Sequence, residues 1–223
     1  MKITYLYHSG YMVETETCVL LFDCINLNEV SIDDQKPLYI FVSHHHQDHF
    51  QPEILDLKGV KFVGYDVLIP EKTKDIKVLK PGDEVDHQTL KIKALGSTDD
   101  GVSFFIEVEQ QTLFYAGDLN NWHWKLESTL DEIEAMNQQY LQIIQPLTGQ
   151  KIDVLFYPLD PRLGVDIDLG LRQLLELTQV RHIFPMHFSS DVEAMATYYE
   201  ASPFNDRIIP ITQPNTTTNL KGN

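Results

Sequence analysis

Polar and apolar positions along this chain divide it into short strands first and helices later. Ile3 to Tyr7, Tyr11 to Thr15 and Cys18 to Asp23 read as three strands, and the short turns between them predict antiparallel pairing. Leu38-Tyr39-Ile40-Phe41-Val42 is a continuous apolar run, as expected of a strand buried on both faces, and Pro52 to Leu57 after it reads as a short helix. From Val60 to Leu95 β-rich pieces are separated by Pro70, the turn Pro81-Gly82-Asp83 and Asp86-His87. Ser103 to Glu109 and Thr112 to Tyr115 flank Gln110-Gln111 as a hairpin. Between Leu126 and Ile144 the period changes: Leu130, Ile133, Met136, Tyr140, Leu141 and Ile144 recur at helical spacing, and Pro146 ends the pattern. Asp153 to Tyr157 is a further buried strand and Leu169 to Leu177 a second amphipathic helix. His182 to Pro185 is a strand leading to His187, Asp191 to Glu200 a last helix, and Ile208 to Ile211 a closing strand. A β-rich first half and a second half that alternates helix and strand predict an α/β fold of sheets covered by helices.

Composition narrows the picture. At 223 residues, 43% hydrophobic and 22% charged, the chain can bury one sizeable core, so a single domain over 1–212 is expected, with a polar, loose tail from Gln213 to Asn223. The formal charge of -16 repels polyanions, so nucleic acid and anionic membranes are poor partners and a small-molecule substrate is the expectation. The amino-terminal residues carry no uninterrupted apolar stretch, so no secretory signal or membrane span is expected and the location is read as cytoplasmic. Cys18 and Cys24 fit reduced thiols in such a compartment. The oligomeric state is left open.

Candidate chemistry is concentrated in His44-His45-His46-Gln47-Asp48-His49. Within it His44, His46, Asp48 and His49 form an H-x-H-x-D-H arrangement of imidazoles and carboxylates, which are natural ligands for a divalent metal. A solvated loop has no reason to follow a buried strand so abruptly, and a purification tag would be terminal and lack the carboxylate. Ligand-type residues also end other apolar strands: Asp23 after Leu20-Leu21-Phe22, Asp118 after Phe114-Tyr115-Ala116-Gly117, and His187 after Ile183-Phe184-Pro185-Met186. Strand ends are where helix-covered sheets carry their sites.

With these residues in order, nearly all of the chain resembles the metallo-β-lactamase fold superfamily, and in particular its small bacterial metal-dependent hydrolases. The resemblance implies an αββα sandwich with one or two metal ions at one edge. Zinc is the first expectation, with manganese or iron as alternatives. By position it implies His44 and His46 on a first metal, Asp48 and His49 on a second, Asp118 bridging them and His187 completing the second site. Asp23 resembles an early aspartate that braces the loops. One departure stands out: where the superfamily commonly supplies a third histidine for the first metal, this chain reads Gly96-Ser97-Thr98-Asp99-Asp100-Gly101. Asp99 or Asp100 could replace the imidazole, the first site could be weak, or the stretch could be an ordinary turn.

Hydrolysis by metal-activated water is the reaction such a centre serves, with Asp48 and Asp118 orienting the water. Around it, His8 at the end of the first strand, Trp122 and Arg162 are candidate substrate-binding residues, and His123 a candidate proton donor. His45, His87 and His182 read as structural or exposed. The expected activity is hydrolysis of a small, anionic phosphoester, ester or lactone. The alternatives are an iron-dependent oxidoreductase on the same fold and a non-catalytic metal-dependent binder.

Overall fold

In a computed structural model the described residues are 1–27, 30–69, 75–188 and 191–221, so the expected break at Pro70 lies outside them. Strands β1 (Lys2–Tyr7), β2 (Gly10–Glu14) and β3 (Val19–Phe22) pair antiparallel through tight turns, as the alternation predicts. Strands β4 (Leu38–Val42), β5 (Val60–Gly64) and β6 (Ile76–Leu79) then add in parallel beyond β3.

A second mixed sheet takes β7 (Glu84–His87), β8 (Leu90–Leu95), β9 (Ser103–Val108) and β10 (Gln111–Tyr115) as antiparallel neighbours. It then takes β11 (Lys151–Pro158) and β12 (Gln179–Met186) in parallel. Helices α1 (Leu130–Ile144), α2 (Leu169–Leu177) and α3 (Val192–Ala201) flank the sheets. Two mixed sheets with flanking helices are the α/β sandwich that the element order implied.

The period of two places side chains on opposite faces of the first sheet. Tyr5, Tyr11, Leu20, Phe22, Phe41 and Phe62 enter the central core, whereas Met12, Leu21, Ile40, Val42 and Val63 pack on the other face with Ile54. Aromatic rings join the two sheets: Phe22 lies 4.7 Å from Tyr115, Phe41 5.2 Å from Phe104 and Tyr11 4.7 Å from Phe156. Full burial of each such side chain contributes roughly 1.5–3 kcal/mol, so this seam fixes the spacing of the two sheet edges that carry the site. Among the described residues no helix is long and apolar enough to cross a membrane.

Several local expectations change. Helix α1 begins at Leu130, not Leu126, because Thr129 and Glu132 form a reciprocal capping box that fixes its start. Only Tyr140 and Ile144 of its apolar positions are buried, while Leu126 and Leu130 stay in solvent. Asp86-His87 does not separate strands but lies inside β7, an edge strand whose polar side chains can face water. Ile208 to Ile211 is not a strand; it is reduced to an isolated parallel bridge between Ile208 and Ile183. The segment expected as a loose tail contains strand β13 (Thr217–Asn219), which pairs antiparallel with β1 and covers its open edge.

A candidate metal centre at the strand ends

Strands β1, β3 and β4 run in one direction in the first sheet, as do β10, β11 and β12 in the second, so their carboxyl ends deliver His8, Asp23, His44, Asp118, Asp160 and His187 to one edge. Two glycines let the loops close on each other. A Cβ on Gly101 (φ +72°) would sit 2.1 Å from the Ser43 carbonyl oxygen, and one on Gly117 (φ +55°) 2.8 Å from the Ser43 Cβ.

Asp118 is the meeting point. Its Oδ2 lies 3.6 Å from His44 Nε2 and 3.4 Å from His187 Nε2, and its Oδ1 lies 3.1 Å from His49 Nε2. His44 Nε2, His49 Nε2 and Asp118 Oδ1 are all buried, and none has a hydrogen-bond partner among the described residues. A buried polar atom left so costs roughly 1–3 kcal/mol, which a cation between them would relieve. The donor set of imidazole nitrogens and carboxylate oxygens therefore fits a divalent metal.

The far nitrogen of each ring is held from behind. His44 Nδ1 lies 2.8 Å from Ser43 Oγ, His49 Nδ1 2.7 Å from Asp23 Oδ2 and His187 Nδ1 3.1 Å from Asp160 Oδ2. Such partners fix the ring orientation and point Nε2 forward, the usual arrangement behind metal-binding histidines. Asp23 is itself saturated, accepting from the Ser43 N–H at 2.8 Å, the Ser43 hydroxyl at 2.5 Å and the Tyr115 hydroxyl at 2.7 Å, so it braces the loops as expected. Burial lowers His44 to about 4 and keeps it neutral. Burial also opposes charge on His49 and His187, but the carboxylates of Asp118 and their rear partners outweigh it, raising His49 well above its ordinary value and His187 to about 9. Desolvation raises the carboxyl of Asp118, and His49 and His187 overcome this and hold it well below the usual range.

Two ligand groups emerge around Asp118. One comprises His44, His46, Asp99 and Asp118, so of the stretch Ser97 to Asp100 it is Asp99 that joins the first pair of histidines together with Asp118. Its Oδ2 is 3.7 Å from His46 Nδ1, and burial together with Asp118 raises its carboxyl, the response of an acid facing another acid. Asp100 instead approaches His46 Nε2 at 3.3 Å on the outer side. The other group comprises Asp48, His49, His187 and His8. His8, expected on the substrate side, thus faces the second ligand group, with Nε2 3.3 Å from Asp48 Oδ2.

An open cleft of about 330 Å³ exposes this centre, with Trp122, Trp124, Thr98, Met136 and Arg162 beside the ligands. Trp122 donates from Nε1 to the Asp118 carbonyl at 2.9 Å and stacks on Trp124 at 5.7 Å. The Arg162 guanidinium lies 5.4 Å over the Trp124 ring, and its Nε and Nη2 engage Asp160. His123 does not line the cleft among the described residues; the tryptophans on either side of it do. A larger hollow of about 470 Å³, lined in part by Glu84, Asp86, Lys91 and Lys93, holds none of the ligands and is not the site of this chemistry. Ser43 and Asp160 were not singled out from the sequence as partners of the site, although both lie at the ends of apolar strands.

A two-sheet sandwich with histidine-carboxylate groups at one edge defines a protein of the metallo-β-lactamase fold. Residues 2–133 match the β-lactamase superfamily domain, and the chain belongs to that superfamily. Solved structures agree on the fold. A metallo-β-lactamase fold protein from Bacillus subtilis aligns with a TM-score of 0.58 and 13% identity over 98% of this chain and 99% of that one. Igni18, a metallo hydrolase from the archaeon Ignicoccus hospitalis, aligns at 0.61 and 15% identity over 99% of both. CmlA, a diiron β-hydroxylase from Streptomyces venezuelae, aligns at 0.54 and 12% identity over 83% of this chain and 44% of that larger one. No curated protein matches the chain.

Proposed function

We propose that this chain is a metal-dependent hydrolase of a small anionic substrate, a phosphoester, ester or lactone. The observation that carries the reading is the convergence of His44, His49 and His187 on Asp118, with unpartnered buried atoms that a cation would satisfy. His46, Asp48 and Asp99 complete the ligand set. A bound divalent ion, with zinc as the first choice, supplies an acidified water and positive charge for the transition state.

The side chains divide the remaining work. Asp118 is buried and held among three imidazoles, so it serves to bind and orient. Asp48 has a half-exposed carboxylate on the cleft, and His8, then His49, hold it well below the usual carboxylate range, so it stays ionised and placed to accept a proton. Arg162 keeps Nη1 for a substrate carboxylate or phosphate while Asp160 fixes the rest of its fork. Trp122 and Trp124 wall the cleft and exclude water from one side. The cleft volume and the net charge of -16 both favour a small ligand over a polynucleotide.

The test is turnover of activated esters, lactones and phosphodiesters by metal-loaded protein, with and without a chelator. Chelator-sensitive hydrolysis supports the reading, and none across the panel refutes it. Apart from the shared Asp118, the two histidines and one carboxylate of His44, His46 and Asp99 favour one second reading, an iron-dependent oxidoreductase. Iron content joined to oxygen consumption distinguishes it from a hydrolase.

A further inference from the structure

The two ligand groups are chemically unequal. One offers two imidazoles and two carboxylates, from His44, His46, Asp99 and Asp118; the other offers three imidazoles, from His8, His49 and His187, with the single carboxylate of Asp48. Asp118 faces both, 3.6 Å from His44, 3.1 Å from His49 and 3.4 Å from His187, so the groups differ in their remaining ligands: two imidazoles with Asp99 against three imidazoles with Asp48.

We propose that the centre is built for two different metals, with zinc held by His8, Asp48, His49 and His187, and a harder ion, manganese or ferrous iron, held beside Asp99. This rests on the proposed reading of the site as a metal centre and takes each of its two ligand groups to hold one ion. Imidazole suits zinc, whereas carboxylate and water suit manganese, and two histidines with one carboxylate and open positions suit ferrous iron. Zinc binds N and O sites more tightly than manganese in general, so the asymmetry decides where a first equivalent of zinc goes and what is left for the second ion.

Two residues create the inequality. His8 adds a third imidazole to one group. It is 5% exposed, its ring lies 4.5 Å from that of His187 and 5.4 Å from that of His49, and its carbonyl accepts from the His187 N–H at 3.1 Å. Both His8 (φ +54°) and His187 (φ +62°) hold left-handed backbone, which costs of order 1–3 kcal/mol for a non-glycine residue and persists only where the surroundings enforce it. Asp99 acts on the other side by bringing a carboxylate, its Oδ2 3.7 Å from His46 Nδ1. Its side chain is 44% exposed and that of His46 39%, so this group is open to water ligands, which a harder octahedral ion keeps.

Metal-depleted full-length protein, titrated with zinc against a chromophoric chelator, should bind two ions in steps at least about tenfold apart. With one equivalent of zinc and excess manganese, then desalting, elemental analysis should find one ion of each per chain, with the electron paramagnetic resonance of isolated manganese. His8→Asn, which tolerates the left-handed backbone, should weaken the tighter zinc step by about 10- to 100-fold, the range that follows loss of even an outer partner. Asp99→His, on the exposed side, should tighten the weaker step and exclude manganese. Circular dichroism checks that both variants are folded. Equal zinc steps, coupled manganese pairs in the mixed sample, or unchanged zinc constants in either folded variant would overturn the partition while leaving a two-metal centre in place. Failure of the wild type to bind zinc or manganese at all would overturn both.

Discussion

Asp23→Asn and Asp23→Ala together probe how the centre is held. Asp23 is fully buried and accepts from Ser43 N, Ser43 Oγ, Tyr115 Oη and His49 Nδ1 at 2.8, 2.5, 2.7 and 2.7 Å. Two donors have other partners, since the Tyr115 hydroxyl can turn its single proton to the Ser9 carbonyl at 2.9 Å and Ser43 Oγ lies 2.8 Å from His44 Nδ1. The Ser43 N–H would be orphaned by alanine, and His49 Nδ1 would retain only a 3.4 Å contact with Ser43 Oγ. Two such losses at roughly 1–3 kcal/mol each sum to about 2–6 kcal/mol. At about 2–4 °C per kcal/mol for a chain of this size, the melting temperature of the metal-free protein should fall by at least about 4 °C. Alanine adds backbone strain at φ +36°, which asparagine tolerates better, so the Asn variant isolates the loss of charge. It should melt closer to wild type but bind zinc about 10- to 100-fold more weakly, because the His49 ring is no longer oriented by a carboxylate. Thermal unfolding and chelator competition read the two effects. Unaltered zinc affinity in Asp23→Asn, with Asp23→Ala melting within a degree of wild type, would refute the bracing role.

Gly101→Ala should lower stability and weaken metal binding together, since its Cβ would meet the Ser43 carbonyl oxygen at 2.1 Å and a left-handed backbone disfavours alanine by about 1–2 kcal/mol; parallel unfolding and zinc titrations check this. Glu109 staples the two sheets by accepting from Thr15 Oγ1, Thr17 Oγ1 and the Thr17 and Glu16 N–H groups. Burial works to raise its carboxyl, but these donors outweigh it and lower it, so its stabilisation is complete above the ordinary value of about 4.3 and is lost as pH falls through the lowered one. Glu109→Gln should therefore cost about 1 kcal/mol at pH 7, allowing for screening at an exposed position, with the gap from wild type closing in acid during urea titrations. Burial pushes the Cys24 thiol up to about 11 and also raises Cys18, so at pH 8 a thiol reagent should label neither in the native protein and both after unfolding.

Much of this protein was legible in one dimension. Hydrophobic period fixed the central strands and helix α2, because burial on a pleat or a helical face must be repeated locally in the sequence. The ligand run from His44 to His49 is contiguous, so its chemistry could be read without a fold. Local pattern was weaker where ends compete: the capping box at Thr129 moved the start of α1, and pairing with β1 ordered Thr217–Asn219 despite polar composition. Tertiary structure alone decided which distant groups serve the centre. It brought Asp99 to His46, placed His8 with Asp48 and His187, and set Asp23 and Asp160 behind the imidazoles. It also left His123 away from the cleft between two tryptophans that line it. The physical reason is that a ligand atom's position depends on the register and spacing of two sheets, fixed by aromatic packing between residues far apart in the chain, whereas the sequence pattern records only which face each residue must hide.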